Sequence, residues 1–191
     1  MADVPRHHLE YGWCQDYITG ETVVDTDDER IRQGLARLLV EERGYARAEV
    51  GVRLRIETLF AGTYAVSRID FVVGLAGRQV MVIRYGPGSI VTRERPAVAA
   101  ARVVNPEYQI PLAVATNGRD ASLLDTRTGK VLAEGLAAIP GRQELLARLP
   151  ELTFPPLPAE RRERELRILN AYDVEVCCSG GPCALPGARE G

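Results

Sequence analysis

The sequence is nearly devoid of lysine and lacks long apolar runs. Of its 24 basic residues only Lys130 is a lysine, and it lies in Asp125-Thr-Arg-Thr-Gly-Lys130, a pattern typical of a tight turn. No stretch approaches the roughly 18 apolar residues of a transmembrane helix, so we expect no membrane association. The first residues lack the apolar core of a signal peptide, which predicts a cytoplasmic protein. The net charge of −2 excludes a strong overall attraction to nucleic acid.

Cysteine is also scarce. The four cysteines are Cys14, Cys177, Cys178 and Cys183. In a cytoplasmic protein such residues are more often thiols or metal ligands than disulfides. Glycines between Cys178 and Cys183 could wrap an ion, and Cys14 or His7 and His8 could complete a zinc or iron–sulfur site. The spacing is not the usual pair of Cys-x2-Cys motifs, so a tail with free thiols is the favoured alternative.

The apolar pattern alternates between helix and strand periods. Hydrophobic residues make up 46% of the chain, enough for the core of one domain. Helices are predicted to begin at Thr26 or Asp27, at Thr92, and near Gly141 and Glu160. Strands are predicted over 50–59, 66–75, 78–85, 112–116, 121–124 and 130–133, and Asn117-Gly118 predicts a type I′ turn. This order predicts an α/β sandwich with a mixed central sheet flanked by helices.

Three segments differ in composition. Residues 1–28 form an acidic N-terminal arm with seven acidic residues against one arginine, which we expect to be irregular. Tyr11, Trp13 and Tyr17 suggest that part of this arm packs on the body. Residues 29–150 carry the periodic pattern of the core domain. Residues 151–191 comprise a proline-rich linker, a charged helix and the cysteine-containing tail.

Several short motifs occur in a specific order along the core. They are Asp28-Glu29-Arg30-Ile31-Arg32-Gln33, Gly44-Tyr45, Arg68-Ile69-Asp70, the segment 80–88, and Val114-Ala-Thr-Asn-Gly118. The ordered set, over about residues 26–136, resembles the N-terminal nuclease domain of type I restriction enzyme R subunits. The resemblance implies a restriction-endonuclease-like fold with the PD-(D/E)xK core. The Gly-x4-Gly-Lys-[Ser/Thr] phosphate loop of the R-subunit motor is absent, so we expect something other than a complete R subunit.

The resemblance also implies where a nuclease site would lie. The family's helix Glu, strand Asp, and the Glu and Lys of the next strand fall on Glu29, Asp70, Ile83 and Tyr85. Isoleucine supplies no oxygen for Mg²⁺ and tyrosine no fixed positive charge, so the resemblance implies a degenerate site at which Mg²⁺ could still bind and no catalytic residue is expected. Strand alternation predicts that Arg84 points to the opposite face from Ile83 and Tyr85. The helix after this strand also lacks the Gln and Tyr that the family often has.

Four arginines surround the third strand and its following helix. They are Arg84, Arg93, Arg95 and Arg102, and with Glu94 they give residues 84–102 an excess of three positive charges. We therefore predict binding of DNA or RNA without cleavage. One alternative is a protein-interaction scaffold built on the acidic arm, and another is a residual Mg²⁺-dependent endonuclease. The sequence carries no signal for an oligomeric state.

Overall fold

A six-stranded mixed sheet is the centre of the fold, which a computed structural model describes for residues 10–173. Its strands, in spatial order, are β3 Val50–Phe60, β4 Thr63–Leu75, β5 Arg78–Tyr85, β6 Leu112–Thr116, β7 Ala121–Asp125 and β8 Val131–Glu134. Only β5 and β6 pair in parallel, and α2 (Val91–Val103) connects them. The predicted strands are confirmed. The strand that carries Asp70 is the direct neighbour of the strand that carries Ile83 and Tyr85.

The acidic arm is more ordered than predicted. Residues 10–26 form an antiparallel hairpin of β1 (Glu10–Gln15) and β2 (Thr22–Thr26). Trp13 pairs with Val24 and Cys14 with Val23, so β-branched and aromatic residues oppose each other as strands favour. The expectation of an irregular arm was therefore wrong over this range. Residues 1–9 lie outside the described residues.

The helices cover the two faces of the sheet unequally. Helix α1 (Asp27–Arg37) begins at Thr26, whose hydroxyl accepts the Glu29 N–H at 3.1 Å, as predicted. It packs with Leu35, and the π-helical turn that follows it (Leu38–Glu42) packs with Leu39, on one face, which we term the α1-side core. Helix α2 and helix α4 (Ala159–Asp173) pack on the other face, the α2-side core, and α3 (Arg142–Arg148) joins the α1 side through Leu145.

Two local predictions were wrong. Thr92 lies inside α2 rather than capping it, because its hydroxyl donates to the Ser89 carbonyl and the apolar Ile90 occupies the cap position. The β6–β7 connection is a four-residue turn and not a two-residue type I′ turn. The Asn117 side chain accepts the N–H groups of Arg119 and Asp120, and only Gly118 in this turn has a positive φ, at 84°.

A change of strand phase brings Asp70 to the α1 side. Val50 and Val52 pack in the α1-side core, whereas Leu54 and Ile56 pack in the α2-side core, which strict alternation forbids. Arg53 lies between these pairs in a left-handed conformation, with φ of 55°. The register between β3 and β4 is the same before and after it, so both strands change phase together between the pairs Val52–Phe71 and Leu54–Ile69, where Arg53 and Asp70 lie.

Among residues 10–173 no helix has the length and apolar character needed to cross a membrane.

Candidate functional site

Asp70 occupies the centre of the candidate site, and both of its carboxylate oxygens are already bound. Arg32 Nε of α1 donates to Oδ1 at 2.6 Å, and the Tyr85 backbone N–H donates to Oδ2 at 2.7 Å. The residue is only 6% exposed. Burying a carboxylate is costly unless it is paired and hydrogen-bonded, and both conditions are met here by protein groups.

Glu29 is bound in the same manner by a different arginine. Arg53 donates from one terminal nitrogen to Glu29 Oε1 at 2.5 Å and from the other to Asp16 Oδ2 at 2.6 Å. The Gln33 amide also donates to Glu29 Oε1 and to Asp16 Oδ2. Arg53 thus connects the turn of the β1–β2 hairpin to α1, which explains why its unusual backbone conformation is held.

The two positions where the family pattern has Glu and Lys share one face of the sheet, as strand alternation predicted. Ile83 pairs with Phe71 of β4, and both Ile83 and Tyr85 belong to the α1-side core. The Tyr85 hydroxyl donates to Asp28 Oδ1 at 2.8 Å. Burial and this hydrogen bond raise the pKa of Tyr85 to about 12, so its phenol is neutral at physiological pH.

A cavity of about 210 Å³ opens beside these groups. It is lined by Glu29, Arg32, Arg53, Arg55, Arg68, Ile69 and Asp70, which we term the arginine pocket. Its four guanidinium groups face two carboxylates, so the lining carries a formal charge of +2, which becomes +1 when Asp16, the second partner of Arg53, is counted. The position implied for a cation site is therefore surrounded by an excess of positive charge.

Two members of the arginine pocket differ from the others. Arg55 and Arg68 are direct cross-strand neighbours in β3 and β4, and both are exposed. Within residues 10–173 neither makes a side-chain hydrogen bond or an ion pair, whereas Arg32 and Arg53 are bound to carboxylates.

The four arginines predicted to bind nucleic acid do not share one surface. Arg84 points to the α2 side, as alternation predicted, and donates to Asp173 at 2.8 Å. Arg102 is buried and pairs with Glu165 at 2.7 Å, and Arg95 pairs with the other oxygen of Glu165 at the same distance. Arg93 packs against Gly86. Three of these arginines thus attach α4 to the body, and their role in nucleic-acid binding stays a prediction.

The cysteine prediction falls largely outside the described residues. Cys14 is a half-buried free thiol in β1, and burial raises its pKa. Cys177, Cys178 and Cys183 lie beyond residue 173, as His7 and His8 lie before residue 10. In the described part of the chain no three His, Cys, Asp or Glu side chains are arranged to hold a metal ion.

Sequence reasoning missed the residues that dominate the site. Arg32, Arg53, Arg55 and Arg68 were not singled out, although one signal was present. Arg53 and Arg55 on one strand and Arg68 on the next place three positive side chains on two strands predicted to be neighbours.

The segment that carries these residues matches a family model. The family model for the type I restriction enzyme R protein N terminus matches residues 27–140. The chain belongs to this family. The matched range begins with α1 and includes the whole six-stranded sheet, and the mixed α/β architecture is consistent with a restriction-endonuclease-like fold. No curated protein and no solved structure matches the chain.

Proposed function

We propose that this family member is a catalytically silent domain that binds nucleic acid without cleaving it. The observation that carries the proposal is the state of Asp70. Its two oxygens accept hydrogen bonds from Arg32 and from the Tyr85 N–H, so the carboxylate is a structural partner of the protein rather than an open ligand.

The residues present do not fit the magnesium ion that the family's nuclease reaction implies. Mg²⁺ needs near-octahedral oxygen coordination and is usually held by one or two carboxylates with waters and phosphate. Asp70 and Glu29 are each bound to an arginine, and Ile83 adds no oxygen. The formal charge of +2 on the lining also repels a divalent cation. No hydrolytic step is therefore assigned to this site.

The positive charge of the missing lysine has no evident substitute at the same place. Tyr85 is a neutral phenol, and Arg84 lies on the opposite face in an ion pair with Asp173. Loss of one preorganised electrostatic donor commonly costs about 10²–10³ in rate. The absence of a metal-binding carboxylate at position 83 of the same site further supports the proposal that the domain does not cleave nucleic acid.

Nucleic-acid binding is supported by the charge of the arginine pocket, on a chain whose net charge is −2. Phosphate oxygens are the main partners of arginine in nucleic-acid complexes, and such contacts make binding depend on salt. The pocket is a better candidate than the four arginines predicted from the sequence, because three of those are bound to α4 carboxylates.

A nuclease assay and a binding assay test the two halves of the proposal. Supercoiled plasmid is incubated with the protein and Mg²⁺ or Mn²⁺, beside the Asp70→Ala variant, and we expect no cleavage from either. Cleavage that disappears in the variant would refute catalytic silence.

Labelled DNA and RNA are titrated by fluorescence anisotropy at low and moderate salt, and we expect affinity to fall as salt rises. Absence of binding at low salt would refute the binding function.

A protein-interaction role is a second candidate because of the exposed hairpin. Trp13 is 72% exposed and faces Val24, its cross-strand neighbour, which is 38% exposed. Exposed tryptophan is enriched at protein interfaces. Affinity purification from nuclease-treated extract, with Trp13→Ser as the control, would favour this role if it returned one stoichiometric partner that the variant loses.

A further inference from the structure

Arg55 and Arg68 lie opposite each other without a counter-ion among the described residues. They are paired in the β3–β4 ladder, where side chains of opposed residues lie roughly 5 Å apart at Cβ. Like charges placed directly opposite destabilise a sheet. The nearby carboxylates form no ion pair with either arginine among residues 10–173, because Asp70 is bound to Arg32 and Glu29 to Arg53, and Glu57, two residues along β3 from Arg55, lies beside Tyr64.

The surroundings favour an anion as the missing partner. Arg55 and Arg68 line the arginine pocket, whose volume is about 210 Å³. Guanidinium groups present planar forks of donors that match phosphate oxygens in pairs. Two neighbouring forks that line one positive cavity can therefore donate to one phosphate group together.

We propose that the arginine pocket binds a terminal phosphate group, with Arg55 and Arg68 as its principal ligands. A phosphate monoester carries about −1.5 to −2 charges at pH 7 and so matches the two charges of Arg55 and Arg68, the lining arginines without an ion pair among residues 10–173, better than the single charge of a phosphodiester does. The position that the family pattern assigns to a cation site has in this chain become an anion site. No bond is made or broken in this event.

The ligand can be a phosphate at the end of a nucleic acid or a small phosphate compound. The first source rests on the proposed function, whereas the second is independent of it. The shared chemistry is the terminal phosphate, and the experiment separates the sources.

Isothermal titration with inorganic phosphate at constant ionic strength tests the pocket directly. The double variant Arg55→Gln/Arg68→Gln should bind at least about tenfold more weakly, because it loses charge-assisted hydrogen bonds. The control Arg127→Gln/Arg164→Gln makes the same change in net charge at two exposed arginines outside the pocket and should bind as the unaltered protein does. If the double variant does not fold, the single variant Arg68→Gln replaces it. Lack of phosphate binding, or equal weakening in both double variants, would overturn the proposal.

Oligonucleotides with a 5′-phosphate or a 5′-hydroxyl group then identify the source. Tighter binding of the phosphorylated strand, lost in Arg55→Gln/Arg68→Gln, assigns the pocket to a nucleic-acid end. Equal binding of the two strands, with inorganic phosphate still bound, assigns it to a small phosphate compound. If neither oligonucleotide binds while inorganic phosphate does, the proposed nucleic-acid function fails and the phosphate pocket stands.

Discussion

Replacement of Asp70 by asparagine should lower the free energy of unfolding. The sign of this change distinguishes a carboxylate that stabilises the fold from one that is kept to bind a metal. A carboxylate kept for a metal is usually a cost to the folded state, so its neutralisation leaves stability unchanged or increases it. Here Asp70 is 6% exposed and holds Arg32 at 2.6 Å. The amide of the Asp70→Asn variant would still accept the Tyr85 N–H but would leave Arg32 without its main counter-charge.

The structure sets the size of the effect. A hydrogen bond to a charged group contributes about 1.5–3 kcal/mol. Arg32 is 24% exposed on its side chain and keeps Glu29 at 3.7 Å, so we expect a loss of about 2 kcal/mol for Asp70→Asn, below the 3–5 kcal/mol typical of a fully buried broken pair. Asp70→Ala also leaves the Tyr85 N–H unpaired, which adds about 1–3 kcal/mol.

Urea unfolding in the presence of EDTA measures these differences, and thermal unfolding should show a decrease of about 4–8 °C in Tm for Asp70→Asn. Asp120→Asn is the matched control, because Asp120 is exposed and makes no ion pair within residues 10–173, and its effect should stay within about 0.5 kcal/mol. An Asp70→Asn variant as stable as the parent, or a parent that millimolar Mg²⁺ stabilises through Asp70, would refute the structural role.

Two further predictions concern other buried carboxylates. Glu165→Gln should lower the free energy of unfolding, measured in urea, by about 3–5 kcal/mol, because it leaves the buried charge of Arg102 unpaired. The control Glu163→Gln breaks an exposed pair with Arg167 and should lower it by less than about 0.5 kcal/mol. Equal effects of the two substitutions would contradict this prediction. Burial raises the pKa of Asp16, but hydrogen bonds from the Thr19 N–H, Gln33 and Arg53 outweigh burial and lower it to about 2. Since the unfolded value is about 3.9, the stability that Asp16 contributes should be full above about pH 4 and lost as pH falls towards 2, and Asp16→Asn should flatten this part of the curve.

The strands of the sheet could be predicted from the sequence because the patterns that indicate them lie within short segments of the chain. Strand alternation and turn residues place most of the strands β3 to β8 within a few residues of their observed ends, and the resemblance identified which strand ends adjoin. The placement of Glu29, Asp70, Ile83 and Tyr85 on one side of the sheet could thus be predicted from the sequence and the resemblance together, whereas their role as a site stays a prediction.

The partners of those residues could not be predicted in the same way. Arg32 and Asp70 are 38 residues apart, and their contact depends on the angle at which α1 crosses the sheet. The role of Arg53 could not be predicted for another reason. A left-handed φ is expected at glycine or asparagine, and only the bonds from Arg53 to Asp16 and Glu29 hold an arginine there.

The changes at this site are physically coupled. A buried aspartate needs a positive partner, which an active nuclease provides through its metal and lysine. With Ile83 and Tyr85 in place, that partner must come from the protein, and Arg32 supplies it from α1. Restoration of Glu and Lys at positions 83 and 85 alone would then leave Asp70 bound to Arg32 and the lining at a formal charge of +2, because the added charges cancel. If the site is silent as we propose, metal binding would therefore require the removal of Arg32 as well.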